Sequence, residues 1–341
     1  MKSSGIRRPD EILTFQRGAV LSAAEANGNT ASTKLSVVLP CFNEEDNVRP
    51  MMEALAELDQ GLSCRIETIF VDDGSSDSTW ARIREASAEF QNVRGVRFSR
   101  NFGHQAALLA GLGYATGDAV VTMDADLQHP PSLLPAMLDS WRKGAEVVTT
   151  TRRDDKKLPL VKRVTSALFY RLFRLLTGLP ITAGQADFRL LDRKVVRALL
   201  DFKENGLFLR GLVCWMGFKH DDLVYSAGQR HAGRTKYSAR RMVLLALDSA
   251  FSFSNIPLRI GLIVGLGMTG LCFTYGLYAL VVRVFFHKYF VNLVSGWASL
   301  AVLISFMFGL LFIQIGLLGE YLARVYMECK GRPRYIVSED V

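Results

Sequence analysis

Two long stretches without a charged side chain constrain this chain more than any other feature. Between Arg259 and Arg283 lie 23 residues free of Asp, Glu, Lys and Arg, and between Lys288 and Glu320 lie 31 more. A bilayer core takes about 20 apolar residues of helix. Both runs are therefore predicted to cross a membrane, the second trimmed to 295–318. The alternative, a pair of buried helices in a soluble core, is disfavoured because such helices rarely go about 18 residues without a charge. The connection, 285–294, is too short to form a domain, so the two runs make a hairpin with both chain ends on one side.

Charge placement orients the hairpin. Arg230, Arg234, Lys236, Arg240, Arg241 and Arg259 precede the first run, and Arg324, Lys330, Arg332 and Arg334 follow the second. The connection holds only Lys288, with Arg283 and His287 at its edge. Positive residues stay on the cytoplasmic side, so the large N-terminal portion and both termini are expected in the cytoplasm, against the cytoplasmic face of the membrane. Residues 239–256 carry Arg240 and Arg241 before an apolar stretch and read as an amphipathic helix lying among the headgroups. Residues 1–33 lack the apolar core of a signal peptide and read as a flexible arm. Five cysteines without a C-x-x-C pair exclude a disulfide scaffold and a Cys-type zinc site. Cys41, Cys64 and Cys214 fit a reducing compartment.

From Lys34 onward the pattern alternates. Short β-branched runs at 35–40, 67–71, 93–98, 119–123 and 146–150 are separated by helical periodicity at 45–58, 79–90, 105–115 and 133–142. Such alternation means βαβ units and a mostly parallel sheet. In such sheets ligands bind beyond the carboxyl ends of the strands. The polar clusters 40–44, 72–77 and 124–128 follow the first, second and fourth strands, so chain-distant carboxylates are expected to meet along one edge.

Asp124-Ala125-Asp126 is the sharpest of these clusters. Alternate carboxylates at a strand end repel unless a cation lies between them, and oxygen ligands select hard cations such as Mg²⁺ or Mn²⁺. Gln128 stands close enough to complete the shell or orient a water. Asp72 and Asp73 lie where a carboxylate accepts from a base N–H or a ribose hydroxyl, while Ser76 and Asp77 suit the cap of the following helix. Pro40-Cys41-Phe42-Asn43-Glu44 is placed to hold a base beside Phe42. Gly265–Gly270 spells G-x-G-x-x-G, but no strand precedes it and it lies within an apolar run. Gly261 and Gly265 are better read as helix-packing residues. Gly111 and Gly113 lie within the helical stretch 105–115 and Gly117 just after it, so they too are misplaced for a dinucleotide. No H-E-x-x-H or close His pair argues for zinc, and His104 and His129 stand only near the motifs. The net charge of +8 falls largely beside the apolar runs, and no basic–aromatic recognition module accompanies it, so nucleic acid is not the expected partner.

Three of these segments carry a resemblance. Val38–Glu45 (V-L-P-C-F-N-E-E) is similar to the opening strand and turn of the family 2 (GT-A) glycosyltransferases, Val71–Asp77 (V-D-D-G-S-S-D) to their second motif, and Asp124–Gln128 (D-A-D-L-Q) to their metal-binding D-x-D. The likeness extends to the polyprenyl-phosphate glycosyltransferases, the group of dolichol-phosphate mannose synthase and the bactoprenol glucosyltransferases. Asp187–Arg193 resembles their acceptor-side segment. Phe208–Leu212 and Trp215–Phe218 resemble the bacterial glucosyl branch. Arg230–Ser238 resembles their mobile loop, and the hairpin with Arg332–Tyr335 the bacterial members. Coverage is about residues 34–336.

The resemblance implies a GT-A, Rossmann-like mostly parallel sheet over 34–238, then an interfacial helix over 239–256, two transmembrane helices over 257–322 and a cytoplasmic tail over 323–341. It implies single-hexose transfer with inversion, first from UDP-glucose to undecaprenyl phosphate, in cell-envelope modification. UDP-aminoarabinose derivatives and GDP-mannose are rival donors, and a non-catalytic nucleotide-binding membrane scaffold is a rival of another class. A processive polysaccharide synthase is disfavoured by the missing Q-x-x-R-W segment. Asp124, Asp126 and Gln128 would hold Mg²⁺ or Mn²⁺. Pro40, Phe42, Glu44, Asp72 and Asp73 would bind base and ribose. Arg230 and Lys236 would close over the phosphates. Arg152, Arg163 and Ser166, with Arg189 and Lys236, would receive the acceptor phosphate. Asp187 would act as a base or orient Arg189. A phosphate monoester is mostly dianionic at neutral pH, its second pKa being about 6, so a strong base is not obligatory. Glycine-lined membrane helices also permit association of copies.

Overall fold

A computed structural model describes residues 33–62, 64–152, 185–204, 208–225, 256–285 and 297–341. The chain divides into two units, 1–237 with 332–341, and 238–331.

The first unit is built on an eight-stranded sheet. Its strands are β1 Lys34–Cys41, β2 Arg65–Asp72, β3 Val93–Phe98, β4 Ala119–Thr122, β5 Val147–Arg152, β6 Gln185–Asp192, β7 His220–Tyr225 and β8 Val337–Asp340. The spatial order is β7-β5-β6-β4-β1-β2-β3-β8. β3, β2, β1 and β4 pair in parallel, as the alternating pattern predicts. β6 enters antiparallel between β4 and β5, β7 pairs parallel to β5, and β8 pairs antiparallel to β3.

β1 is buried along seven of its eight residues. A central strand covered on both faces reads as a continuous apolar run, which is why 35–40 shows no alternation. Pro40 is tolerated there because pairing with β4 stops at Val38, so its missing N–H breaks no ladder bond on that side. The helices follow: α1 Val48–Asp59, α2 Thr79–Glu89, α3 His104–Tyr114, α4 Leu134–Arg142, α5 Arg193–Asp201 and α6 Leu209–Trp215. α1 buries Val48, Met51, Met52 and Leu55, the spacing of one helical face. α3 is buried on every side from Ala106 to Tyr114. A Cβ on Gly111 would come within 2.2 Å of Val38 Cγ1, so this glycine sets the approach of α3 to β1.

The tail expected over 323–341 is different in the structure. Residues 337–340 are the edge strand β8, not free chain. The reason is local packing. Tyr335 is buried with its ring stacked on Phe98, centroids 5.0 Å apart, and burial pushes its hydroxyl up to about 12. Main-chain bonds link Gly95 and Val341 in both directions at 2.9 Å.

Among the described residues the second unit holds two helices, α7 Ile256–Phe285 and α8 Trp297–Cys329. At 1.5 Å per residue they are about 45 and 50 Å long, enough to cross a bilayer core of about 30 Å. α8 continues past the expected end at 318 to Cys329, and the stretch Leu303–Cys329 is long and apolar enough to cross a membrane. Gln314 donates to the Gly261 carbonyl at 2.9 Å, and a Cβ on Gly265 would come within 3.1 Å of its amide. The G-x-G-x-x-G stretch is thus helix in contact with helix. All but Thr33 of the arm expected over 1–33, and all but Ile256 of the interfacial helix expected over 239–256, lie outside the described residues.

Candidate active site

The carboxyl ends of β1, β2, β4 and β5 open on one edge of the sheet, and β6, running the other way, brings its beginning to the same edge. Pro40–Glu44, Asp72–Asp77, Asp124–Gln128, Arg152 and Asp187 all stand there. The expected convergence is therefore present.

The first two motifs lock together. Asn43 takes a left-handed backbone, φ 58°, a conformation Asn tolerates better than most residues. Its N–H donates to Ser75 Oγ at 2.9 Å, and its side-chain oxygen accepts the Ser76 N–H at 3.0 Å. The Glu44 N–H donates to Thr79 Oγ1, and Glu45 accepts the Ser78 N–H. Asp77 accepts the Thr79 N–H in a local turn just before α2, but the N-cap position is Ser78, which makes no side-chain cap bond, and Ser76 is turned toward Asn43. Phe42 remains 37% exposed above this frame.

Asp72 and Asp73 are both buried. Asp72 Oδ1 accepts the Ser75 N–H at 2.9 Å, and Oδ2 lies 3.4 Å from Arg97 Nε. Asp73 accepts the N–H groups of Phe102 and Gly103 at 2.6 and 2.9 Å. Burial pushes the Asp73 carboxyl up, against the opposing pull of those two bonds. In this structure the two carboxylates organise loops. A Cβ on Gly74, φ +69°, would strike the Arg100 backbone at 2.5 Å, so the turn presses against the loop that leads into α3.

That loop delivers His104, the first residue of α3. Its Nε2 lies 3.6 Å from Asp124 Oδ1 and 3.8 Å from Asp187 Oδ2. β4 and β6 pair Thr122 with Arg189, and continuing that antiparallel register sets Asp124 opposite Asp187. Two carboxylates 63 residues apart in sequence thus flank one imidazole.

The D-x-D turn has its own support. His129 Nδ1 accepts the Asp124 N–H at 3.0 Å, which places the ring proton on Nε2. The His129 ring stacks on Phe188 at 5.1 Å and meets Tyr225 edge-on at 6.1 Å. Leu127 sits at φ 60°, a backbone state rare for a side chain of its size and found where a turn is over-determined. Asp126 Oδ1 accepts the Gln128 N–H at 3.1 Å, so Gln128 contributes backbone to this turn.

Asp187 is buried beside two guanidinium groups. Arg210 donates to both its oxygens, Nε at 2.9 Å and Nη2 at 2.8 Å, and Arg189 donates to Oδ1. Burial alone would push this carboxyl up. The charges of Arg210 and Arg189 outweigh it and hold the group well below the usual carboxylate range. Asp187 is therefore a fixed anion at neutral pH. Arg189, expected to meet the acceptor phosphate, is 4% exposed and committed to Asp187, whereas the Arg210 side chain is 32% exposed. Arg152, at the end of β5, is exposed.

Among the described residues no three His, Cys, Asp or Glu side chains form a closed metal cage. Two acidic side chains on alternate residues suit a hard cation that takes its remaining oxygens from substrate phosphates and water. Arg163, Ser166, Arg230 and Lys236 lie outside the described residues. His104, His129 and Arg210 had no role assigned from sequence. Arg210 did stand within a family-like segment, and both histidines stood beside motifs.

The sequence matches the model of glycosyl transferase family 2 over residues 36–200. An uncharacterized glycosyltransferase of Bacillus subtilis (strain 168) is 39% identical over 304 residues, 89% of this chain and 93% of that one. A prophage bactoprenol glucosyl transferase homolog of Escherichia coli (strain K12) is 38% identical over 305 residues, covering 89% of this chain and 98% of that one. The bactoprenol glucosyl transferase of Shigella phage SfX is 36% identical over 305 residues, covering 89% and 99%. With its parallel sheet core and its acidic carboxyl edge, the chain belongs to the family 2 glycosyltransferases, in the polyprenyl-phosphate glycosyltransferase group.

Proposed function

We propose that this glycosyltransferase moves one hexose from UDP-glucose to undecaprenyl phosphate at the cytoplasmic face of the membrane, with inversion at the anomeric carbon. The observation that carries the reading is the meeting of Asp124, Asp187 and His104 at one sheet edge, in a chain whose relatives include bactoprenol glucosyl transferases. Two helices long and apolar enough to cross a membrane suit a long-chain lipid acceptor.

The residues take the following roles. Phe42 offers its exposed ring to the base, and Pro40, Glu44, Asp72 and Asp73 shape the pocket around base and ribose. Asp124 and Asp126, with Gln128 beside them, would hold Mg²⁺ or Mn²⁺, which when bound offsets charge on the departing diphosphate. Arg230 and Lys236 close over the phosphates, with Arg for forked contact and Lys as a point charge. Arg152, Arg163 and Ser166 receive the acceptor phosphate, and Arg189 acts through Asp187. An acceptor phosphate oxygen attacks the anomeric carbon. The bond to the nucleotide oxygen breaks, and its electron pair leaves with the diphosphate. No proton need move, which agrees with an Asp187 held as an anion. Positioning and electrostatics supply most of the rate.

The test incubates membranes carrying the full chain with undecaprenyl phosphate and, separately, radiolabelled UDP-glucose, a UDP-aminoarabinose derivative and GDP-mannose. Lipid-extractable label from UDP-glucose, lost on chelation, is expected. Label from another donor instead would correct the sugar. No label from any donor would refute the activity.

A further inference from the structure

The donor-side carboxylate Asp72 is joined to the last strand of the chain by a row of side chains crossing the sheet. Asp72 on β2 is level with Arg97 on β3, and Arg97 is level with Glu339 on β8. Arg97 Nε lies 3.4 Å from Asp72 Oδ2, and Arg97 Nη1 lies 3.6 Å from Glu339 Oε1. Glu339 is anchored in turn, because Trp80 Nε1 donates to its Oε2 at 2.8 Å. The Arg97 guanidinium lies over the Trp80 ring, 5.9 Å from its centre.

Asp72 has no exposed surface, and its Oδ2 has no hydrogen-bond partner. A buried, unbonded carboxylate oxygen is costly unless a cation stands against it. Among the described residues Arg97 is the only basic side chain within ion-pair distance of Asp72. The orientation of Asp72 matters beyond itself. Its other oxygen holds the Ser75 N–H, and Ser75 Oγ holds the Asn43 N–H at 2.9 Å, in the turn that carries Phe42 and Glu44. Arg97 is partly exposed and reaches Asp72 on a flexible stem. Glu339 and Trp80 restrict that stem from behind.

We propose that Arg97 is a positioning residue for the nucleotide-binding turns, and that Glu339 with Trp80 braces it, so the C-terminal strand is a working part of the donor site. This inference rests on the donor-side reading of Asp72 and Phe42 given above. A merely structural β8 would lower stability and kcat without singling out the donor. The brace instead acts on donor affinity, and Glu339 acts only through Arg97.

The experiment uses the full chain in detergent, with donor KM and kcat measured at saturating acceptor and UDP affinity by titration calorimetry. Arg97→Met should raise donor KM about tenfold while kcat changes less than about threefold, and Arg97→Lys should recover part of the loss. Glu339→Gln should raise donor KM about threefold, and the double variant should be no worse than Arg97→Met alone, because effects through one shared group do not add. Multiplying effects in the double variant, or a folded Arg97→Met with donor KM within about twofold of wild type, would overturn the brace. If Arg97→Met fails to fold, an unchanged donor KM in both Arg97→Lys and Glu339→Gln overturns it. A wild-type chain that binds UDP yet transfers no hexose refutes the proposed activity alone, and the UDP affinities of the same variants then decide the brace.

Discussion

Asp187→Asn keeps the side chain's shape and removes the negative charge that two guanidinium groups share. Arg210 meets both Asp187 oxygens, and Arg189 meets one of them from a site that is 4% exposed. An amide offers one acceptor and one donor end, so some of these bonds become donor against donor, and the buried Arg189 loses its counter-charge. Breaking a buried ion pair from one side costs about 3–5 kcal/mol. The Arg210 side chain is 32% exposed, so water takes over part of its charge, and the lower end, about 3 kcal/mol, is the better figure. At about 2–4 °C per kcal/mol for a domain of this size, the melting midpoint should fall by about 6–12 °C. The folded carboxyl lies below its ordinary value of 3.8, so its contribution is in place above that pH and is lost as pH falls through the folded value. The gap between variant and wild type should therefore stay flat from about pH 5 to 9 and close only in strong acid. Thermal melts of the full chain in detergent across pH, with kcat at each pH, test both points. A variant melting within about 2 °C of wild type would refute the ion-pair argument. A neutral-range acid limb in wild-type kcat that disappears in the variant would refute the fixed anion and restore Asp187 as a base.

Asp126→Asn should lower kcat by at least about a hundredfold with membrane insertion intact, as loss of transition-state charge stabilisation requires, and unchanged turnover would remove the metal role. His129→Ala leaves the Asp124 N–H without its acceptor and removes the ring under the D-x-D turn. The Mn²⁺ concentration for half-maximal activity should rise about tenfold, and an unchanged metal titration would show that the turn holds without it. Gly111→Ala drives a methyl into Val38 and should cost about 1–3 kcal/mol of stability, partly restored by adding Val38→Ala, and a neutral single variant would count against the close contact. A label at Lys288 should react only from outside intact cells, and reaction only after permeabilisation would reverse the topology.

The two long apolar helices were legible in the sequence, because uncharged runs of 23 and 31 residues are rare outside membrane-spanning segments. The strands from Lys34 to Arg152 were legible because each is a buried run between turn residues, and parallel order follows from the intervening helices. The meeting of acidic strand ends followed from the same order, since every parallel strand ends on one edge. The pairing of 185–192 was not legible. Its segment carries Asp187 and Arg189 among apolar residues, and only the insertion between β4 and β5, with Arg210 arriving from α6, makes those charges tolerable inside. Val337–Asp340 reads as a polar end and becomes a strand because β3 offers it an unpaired edge. Local pattern determines which segments are strands and helices, through burial period and turn chemistry. Which charges face one another across the sheet is decided only when distant segments pair, because an ion pair needs its partner within a few ångströms and nothing in local sequence supplies that distance.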